Sequence, residues 1–179
     1  MTVMRSARGF TMFELMLTLT VVAILVAVAY PSLLRARSSS IEASTVSSMR
    51  AIASAQAVFA TSCSSGFYAP SLSWLTRPSA AGRDGFLGSE FRADVVDRLG
   101  YRIRFTPGPG AKTAPKTCNG LAPGQGVREY FVAADPVETT GAVAQGRHFG
   151  MNASGSVFVG VKRVRPAYSG VPPAPAKPL

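Results

Sequence analysis

The sequence predicts an α+β fold, with one long amino-terminal helix packed on a four-stranded antiparallel sheet. Three observations predict it. Residues 15–34, LMLTLTVVAILVAVAYPSLL, carry no charge, and twenty helical residues span about 30 Å, the thickness of a bilayer core. From Ile41 to Phe59 the residues Ile41, Thr45, Met49, Ile52, Gln56 and Phe59 recur at spacings of three or four, the stripe of an amphipathic helix. Beyond residue 100 the period becomes two, with Tyr101, Ile103 and Phe105 alternating with Arg102 and Arg104, as in a half-buried strand.

Each element follows from local chemistry. The helix runs past the apolar stretch, and Pro31, which cannot bond the carbonyl of Ala27, predicts a kink or local melting there. The Ala- and Ser-rich stripe of the second half suits close packing on a sheet. Ser62, Ser64, Ser65 and Gly66 end the helix. Residues 60–98 read as a long connection with helical turns at Pro70–Leu75 and within Ser89–Leu99, and Trp74 as a plug of the core beneath it. After the first strand comes a Pro- and Gly-rich loop, TPGPGAKTAPKTCNGLAPGQG. Glu129–Ala134, Gly146–Asn152 and Ser156–Val161 read as the second, third and fourth strands, the last two joined by a turn at Asn152–Gly155. The Pro-rich residues 166–179 read as an extended, mobile tail.

Composition argues against catalysis. The chain has 179 residues, one His and two Cys. A closed zinc site needs about four Cys or His ligands, and a Ser-His-Asp triad could use only His148, which reads as a surface or hydrogen-bonded residue. Asp84, Asp94, Asp97 and Asp135 do not form a calcium loop, and no phosphate loop or dinucleotide fingerprint is present. We therefore expect no enzyme activity, no cofactor and no metal. Cys63 and Cys118 lie in two loops without CxxC spacing. Outside the cytoplasm an even pair reads as a disulfide contributing about 2–4 kcal/mol; two free thiols are the alternative.

The amino terminus admits three readings: a plain membrane anchor, a cleaved secretory signal with Ala27-Val28-Ala29 as its A-x-A site, and a third suggested by Glu14. A carboxylate at the start of an apolar run is expensive in lipid, about 2.5–3.5 kcal/mol, so it calls for a partner. The string GFTMFELMLTLTVVAILVAVAYP resembles the amino terminus of type IV pilins and type II secretion pseudopilins. The resemblance implies a leader over residues 1–9, cleaved between Gly9 and Phe10 by prepilin peptidase, and N-methylation of Phe10. Glu14 then stands fifth in the mature chain and, with Pro31, serves assembly. The resemblance also implies the pilin fold: a filament-core helix over 10–34, a globular domain over 35–165 including the rest of the helix, and the tail over 166–179. The implied partners are identical or related subunits, the inner-membrane assembly platform and an assembly ATPase. Arg5 and Arg8 nearly balance Arg35 and Arg37 across the apolar run, so the positive-inside rule is close to a tie. The resemblance decides for a leader in the cytoplasm and a carboxyl domain in the periplasm, then on a surface pilus or a periplasmic pseudopilus.

The formal charge is +10, two less without Arg5 and Arg8. A basic surface is either ordinary solvation or a site for DNA and other polyanions through counterion release. The candidate anion-binding residues are Arg102 and Arg104 on the first strand and Lys162, Arg163 and Arg165 after the last.

Overall fold

The computed structural model describes residues 9–79, 82, 84–137, 146–168 and 176–179. The chain forms two compact units, Met1–Arg37 and Ser38–Leu179. One helix, α1 (Met12–Ser62), contributes to both.

In the first unit every residue of α1 is exposed. Thr18, Thr20 and Ser32 each donate a side-chain hydrogen bond to the carbonyl three residues earlier, at 2.7–2.8 Å. These hydroxyls therefore need no other partner in an apolar surrounding. The helix is continuous through Pro31, so the expected local melting does not occur.

The second unit holds the core. The sheet has six strands, β1 (Val95–Arg98), β2 (Tyr101–Pro107), β3 (Tyr130–Pro136), β4 (His148–Asn152), β5 (Val157–Gly160) and β6 (Lys177–Pro178), all antiparallel and in chain order. Four were expected from the sequence, and the two extra strands are the edges. Ser89–Leu99 reads as a helical turn, but only Ser89–Phe91 is helical, as a short 3-10 turn. The VVDR that follows pairs with β2 through the two-residue turn Leu99-Gly100. Both turn residues have positive φ, 52° and 79°, the geometry that matches the twist of a tight hairpin. β6 comes from the segment expected to be mobile, which at its described ends is part of the fold.

The inner face of the sheet carries Tyr101, Ile103, Phe105, Tyr130, Val132, Ala134, Phe149 and Met151 in one core with Met49, Ile52 and Phe59 of α1. The helical stripe is buried from Thr45 to Phe59 as its spacing predicted, and Ile41 is partly buried. β3 is buried on both faces over Tyr130–Asp135. Its outer side meets a second cluster, in which Phe131 and Ala133 contact Val164, with Tyr168 and Ala176 against them. Val164 fits because β4 has Gly150 beneath it: a Cβ at Gly150 would lie 2.7 Å from Val164 Cγ1 and from Phe131 Cζ. Tyr168 Oη donates to the Pro107 carbonyl at 3.2 Å. The chain after β5 thus straps back over the outer face.

Side-chain clasps hold the long connection to the core. The fully buried Gln56 donates to the Ala69 carbonyl at 3.0 Å and accepts from the Ala69 N–H at 2.8 Å, as a neighbouring strand would. Asp94 Oδ1 accepts from the Leu72 N–H at 2.7 Å, at the start of a short helix, α2 (Leu72–Leu75). Trp74 packs against the core as expected, with the Arg77 guanidinium 3.9 Å above its ring. Cys63 and Cys118 form the predicted disulfide, Cα atoms 5.0 Å apart, tying the end of α1 to the loop after β2.

Gln56→Leu keeps the helix and nearly the volume but leaves a buried N–H and a buried C=O at Ala69 unpaired. At about 1–3 kcal/mol per orphaned group, stability should fall by roughly 2–6 kcal/mol, measured by chemical denaturation with the disulfide intact.

Candidate functional site

The chemistry of the amino terminus is set by where α1 begins. Gly9 and Phe10 are exposed and precede the helix, and a Cβ at Gly9 would meet no atom within 4 Å. Thr11 accepts the Glu14 N–H on its Oγ1 at 3.2 Å. This is an N-cap, and Thr11-x-x-Glu14 has the spacing of a capping box. That pattern lay in the sequence and adds a local role to Glu14: its carboxylate sits in the first turn, where the helix dipole favours negative charge. Beyond it, Leu15, Leu19, Val22, Val26 and their neighbours are exposed. Met12–Ser62 is long and apolar enough near its amino end to cross a membrane. Two exposed residues, a capped helix start, a single carboxylate and a lipid-length apolar surface thus stand in one short segment.

Residues 4–30 match the prokaryotic N-terminal methylation motif. The motif supports a class III leader, of the type IV pilin and pseudopilin kind, at the amino terminus. With the apolar helix, that leader fits a precursor anchored in the inner membrane. No curated protein and no solved structure matches the chain at a significant level. The pilin-type leader implies processing by a peptidase and assembly with pilin subunits.

The second site is electrostatic. Arg102 is exposed on β2, but its Nε and Nη2 donate to the two carboxylate oxygens of Asp97, both at 2.7 Å. Those hydrogen bonds hold the Asp97 carboxyl below, and the Arg102 guanidinium above, their ordinary pKa values. Arg104 and Arg163 converge on Asp135, with Arg104 Nη1 at 3.7 Å and Arg163 Nε at 3.0 Å from Oδ2. Three of the five candidate anion-binding residues are therefore already paired to carboxylates. Lys162 and Arg165 are exposed and have no ion-pair partner among the described residues.

Asp135 is the residue that sequence reasoning left unassigned. It is buried, and it lies between β2, β4 and the strap. His148 Nδ1 is 2.8 Å from its Oδ1. An ionised carboxylate only accepts, so Nδ1 carries the hydrogen. Among the described residues Oδ2 accepts no well-aligned hydrogen bond, and the two arginines hold it by charge. A cavity of about 360 Å³ adjoins the cluster, with Arg102, Asp135, Pro136, Val137, His148 and Arg163 in its walls. The one sequence signal was the alternation on β2, which placed Arg102 and Arg104 on the outer face. The register that brings Asp135 and His148 beside them is tertiary. The nearby acid Glu138 lies outside the described residues.

A further ion pair joins α1 to the residue just before β4. Arg147 Nε donates to Glu42 Oε2 at 3.0 Å and its backbone N–H to Oε1 at 3.3 Å. Tyr101 Oη donates to the Arg147 carbonyl at 3.0 Å, and burial pushes that phenol up to about 12.

Asp135→Asn removes the charge that holds Arg163 and so loosens the strap. Stability should fall by about 2–3 kcal/mol, because Arg104, Arg163 and His148 are not fully buried and can reach water. Trypsin cleavage after Lys162 and Arg163 should accelerate, read by mass spectrometry of the released carboxyl-terminal peptide.

Proposed function

We propose that the chain is a structural subunit of a type IV pilus. It is made as a single-pass inner-membrane precursor with its globular domain in the periplasm, cut by prepilin peptidase after Gly9 and N-methylated on Phe10. It is then polymerised through α1 for attachment, motility or DNA uptake, and performs no catalysis. The observation that carries this reading is the methylation motif at residues 4–30, on an apolar helix that continues into a folded domain.

The physics of assembly supports it. Cleavage creates an amine on Phe10 next to an apolar phase. The amine and Glu14 are each costly there alone. Paired between neighbouring subunits they attract strongly in a low dielectric, and the pairing sets axial register. The exposed apolar residues of the helix exchange lipid for one another. The Cys63–Cys118 disulfide in the second unit favours the pilus. The alternative is a pseudopilin of the type II secretion system, which would use the same leader and helix.

Intact-mass analysis and terminal sequencing of the mature protein test processing. The expected result is a chain beginning at N-methylated Phe10, and one beginning at Tyr30 would instead establish the A-x-A signal and sink the pilin reading. Glu14→Ala should insert in the membrane at least as well as the wild type, because a carboxylate no longer enters lipid, but assemble poorly. Membrane fractionation together with counts of sheared filaments separates the two effects, and a normal filament yield would remove the register role.

A further inference from the structure

The carboxyl-terminal end of the chain closes the sheet with very few contacts. β5 spans four residues, but β6 covers its edge at only two positions, Phe158↔Pro178 and Val159↔Lys177. One of the two residues from the tail is a proline and offers no N–H. A further backbone bond runs from the Leu179 N–H to the Val157 carbonyl at 2.9 Å. Beside this edge, between α1 and β4, is a groove of about 300 Å³ whose walls include Glu42, Val46, Arg50, Arg147, Phe149 and Leu179. Leu179 reaches the groove yet stays 60 % exposed. The seat is therefore real but loosely filled.

An edge strand with a groove alongside is a strand-addition site. Backbone pairing supplies the attraction and the groove receives a side chain. The structure also shows what fits, because Ala176-Lys177-Pro178-Leu179 already occupies it. The strap that precedes this tetrapeptide has its own anchors, Arg163 on Asp135, Val164 over Gly150 and Tyr168 on the Pro107 carbonyl, and the tetrapeptide touches them where Ala176 packs against the Val164 cluster. These anchors hold the chain to its own sheet as far as Tyr168. From Tyr168 to Ala176 is a reach of roughly 25 Å for an extended chain, enough to pass from one small domain to the next.

We propose that the β5 edge is an interaction surface between copies of this chain, and that the segment it takes is the carboxyl-terminal Ala176–Leu179 of a second copy. Exchange replaces each contact by the same contact made by a neighbour, so the free energies of the closed and exchanged forms are close and proximity decides between them. The proposal rests on the filament reading for that proximity. Subunits packed through α1 hold their neighbours' tails at a high effective concentration, and this favours exchange without any new contact. The result is a filament whose subunits are tied at the periphery by swapped β6 strands as well as at the core.

The test uses two full-length chains with different tags, one carrying Val159→Cys and the other Lys177→Cys, co-expressed and mildly oxidised. These positions face each other across β5 and β6, and in this mixture a disulfide between them forms only in trans. Mixed dimers on non-reducing gels should exceed those of an off-register pair, Val161→Cys with Lys177→Cys, by at least about tenfold. A single chain carrying both Val159→Cys and Lys177→Cys measures the share that remains closed on itself. Mixed dimers no more abundant than in the off-register pair overturn the exchange. Electron microscopy of the same cells separates the two failures: filaments without mixed dimers refute exchange and leave the filament reading intact, whereas no filaments and no mixed dimers refute both.

Discussion

An apolar helical surface of membrane length, exposed in its own compact unit, is the constraint on which the rest of this protein depends. At about 25 cal/mol per Å², the side chains between Met12 and Leu34 cannot rest in water, and no residue of Met12–Arg37 is buried. They need lipid or copies of themselves. The polar atoms of the segment are arranged for either solvent. Thr18, Thr20 and Ser32 turn their hydroxyls onto the helix's own carbonyls, and Thr11 caps the first turn. Only Glu14 is left as a full charge that the helix does not neutralise.

The domain has to carry that helix without surrendering its own core. It does so by giving the second half of α1 a different composition. The stripe from Thr45 to Phe59 is buried against the inner face of the sheet, while Ala and Ser keep the approach close. Buried polar side chains then set the fit. Gln56 supplies both halves of a backbone pair to Ala69, and the partly buried Glu42 grips Arg147, just before β4. The disulfide pins the carboxyl end of α1 to the loop after β2.

The outer layer follows a different logic. A single buried carboxylate, Asp135, gathers Arg104, His148 and Arg163 from two strands and the strap. Because the chain is so basic, this acid neutralises charge that would otherwise repel across the sheet, and it fixes where the chain turns back after β5. Pairing also takes much of the positive charge out of play. Arg102 and Arg163 are counted as basic surface in composition but are matched to carboxylates in space, which leaves Lys162 and Arg165 as the unmatched cations of that patch.

Local pattern was enough wherever one period or one register of residues decided the outcome. The apolar run, the leader spacing from Gly9 to Glu14, the helical stripe, the alternation on β2 and the even cysteine pair are all properties of short stretches, and the helix, the inner sheet face and the disulfide followed from them. Tertiary structure decided what depends on a distant partner. Val95–Arg98 has no strand period of its own and becomes β1 because β2 offers an open edge and Leu99-Gly100 can turn. Lys177–Pro178 becomes β6 because β5 has unpaired backbone groups. Asp135 is one acid among nine until strand register places it under Arg163 and beside His148. Edges, straps and buried charges are set by energies between residues far apart in the chain, and a periodicity read along the chain carries no information about them.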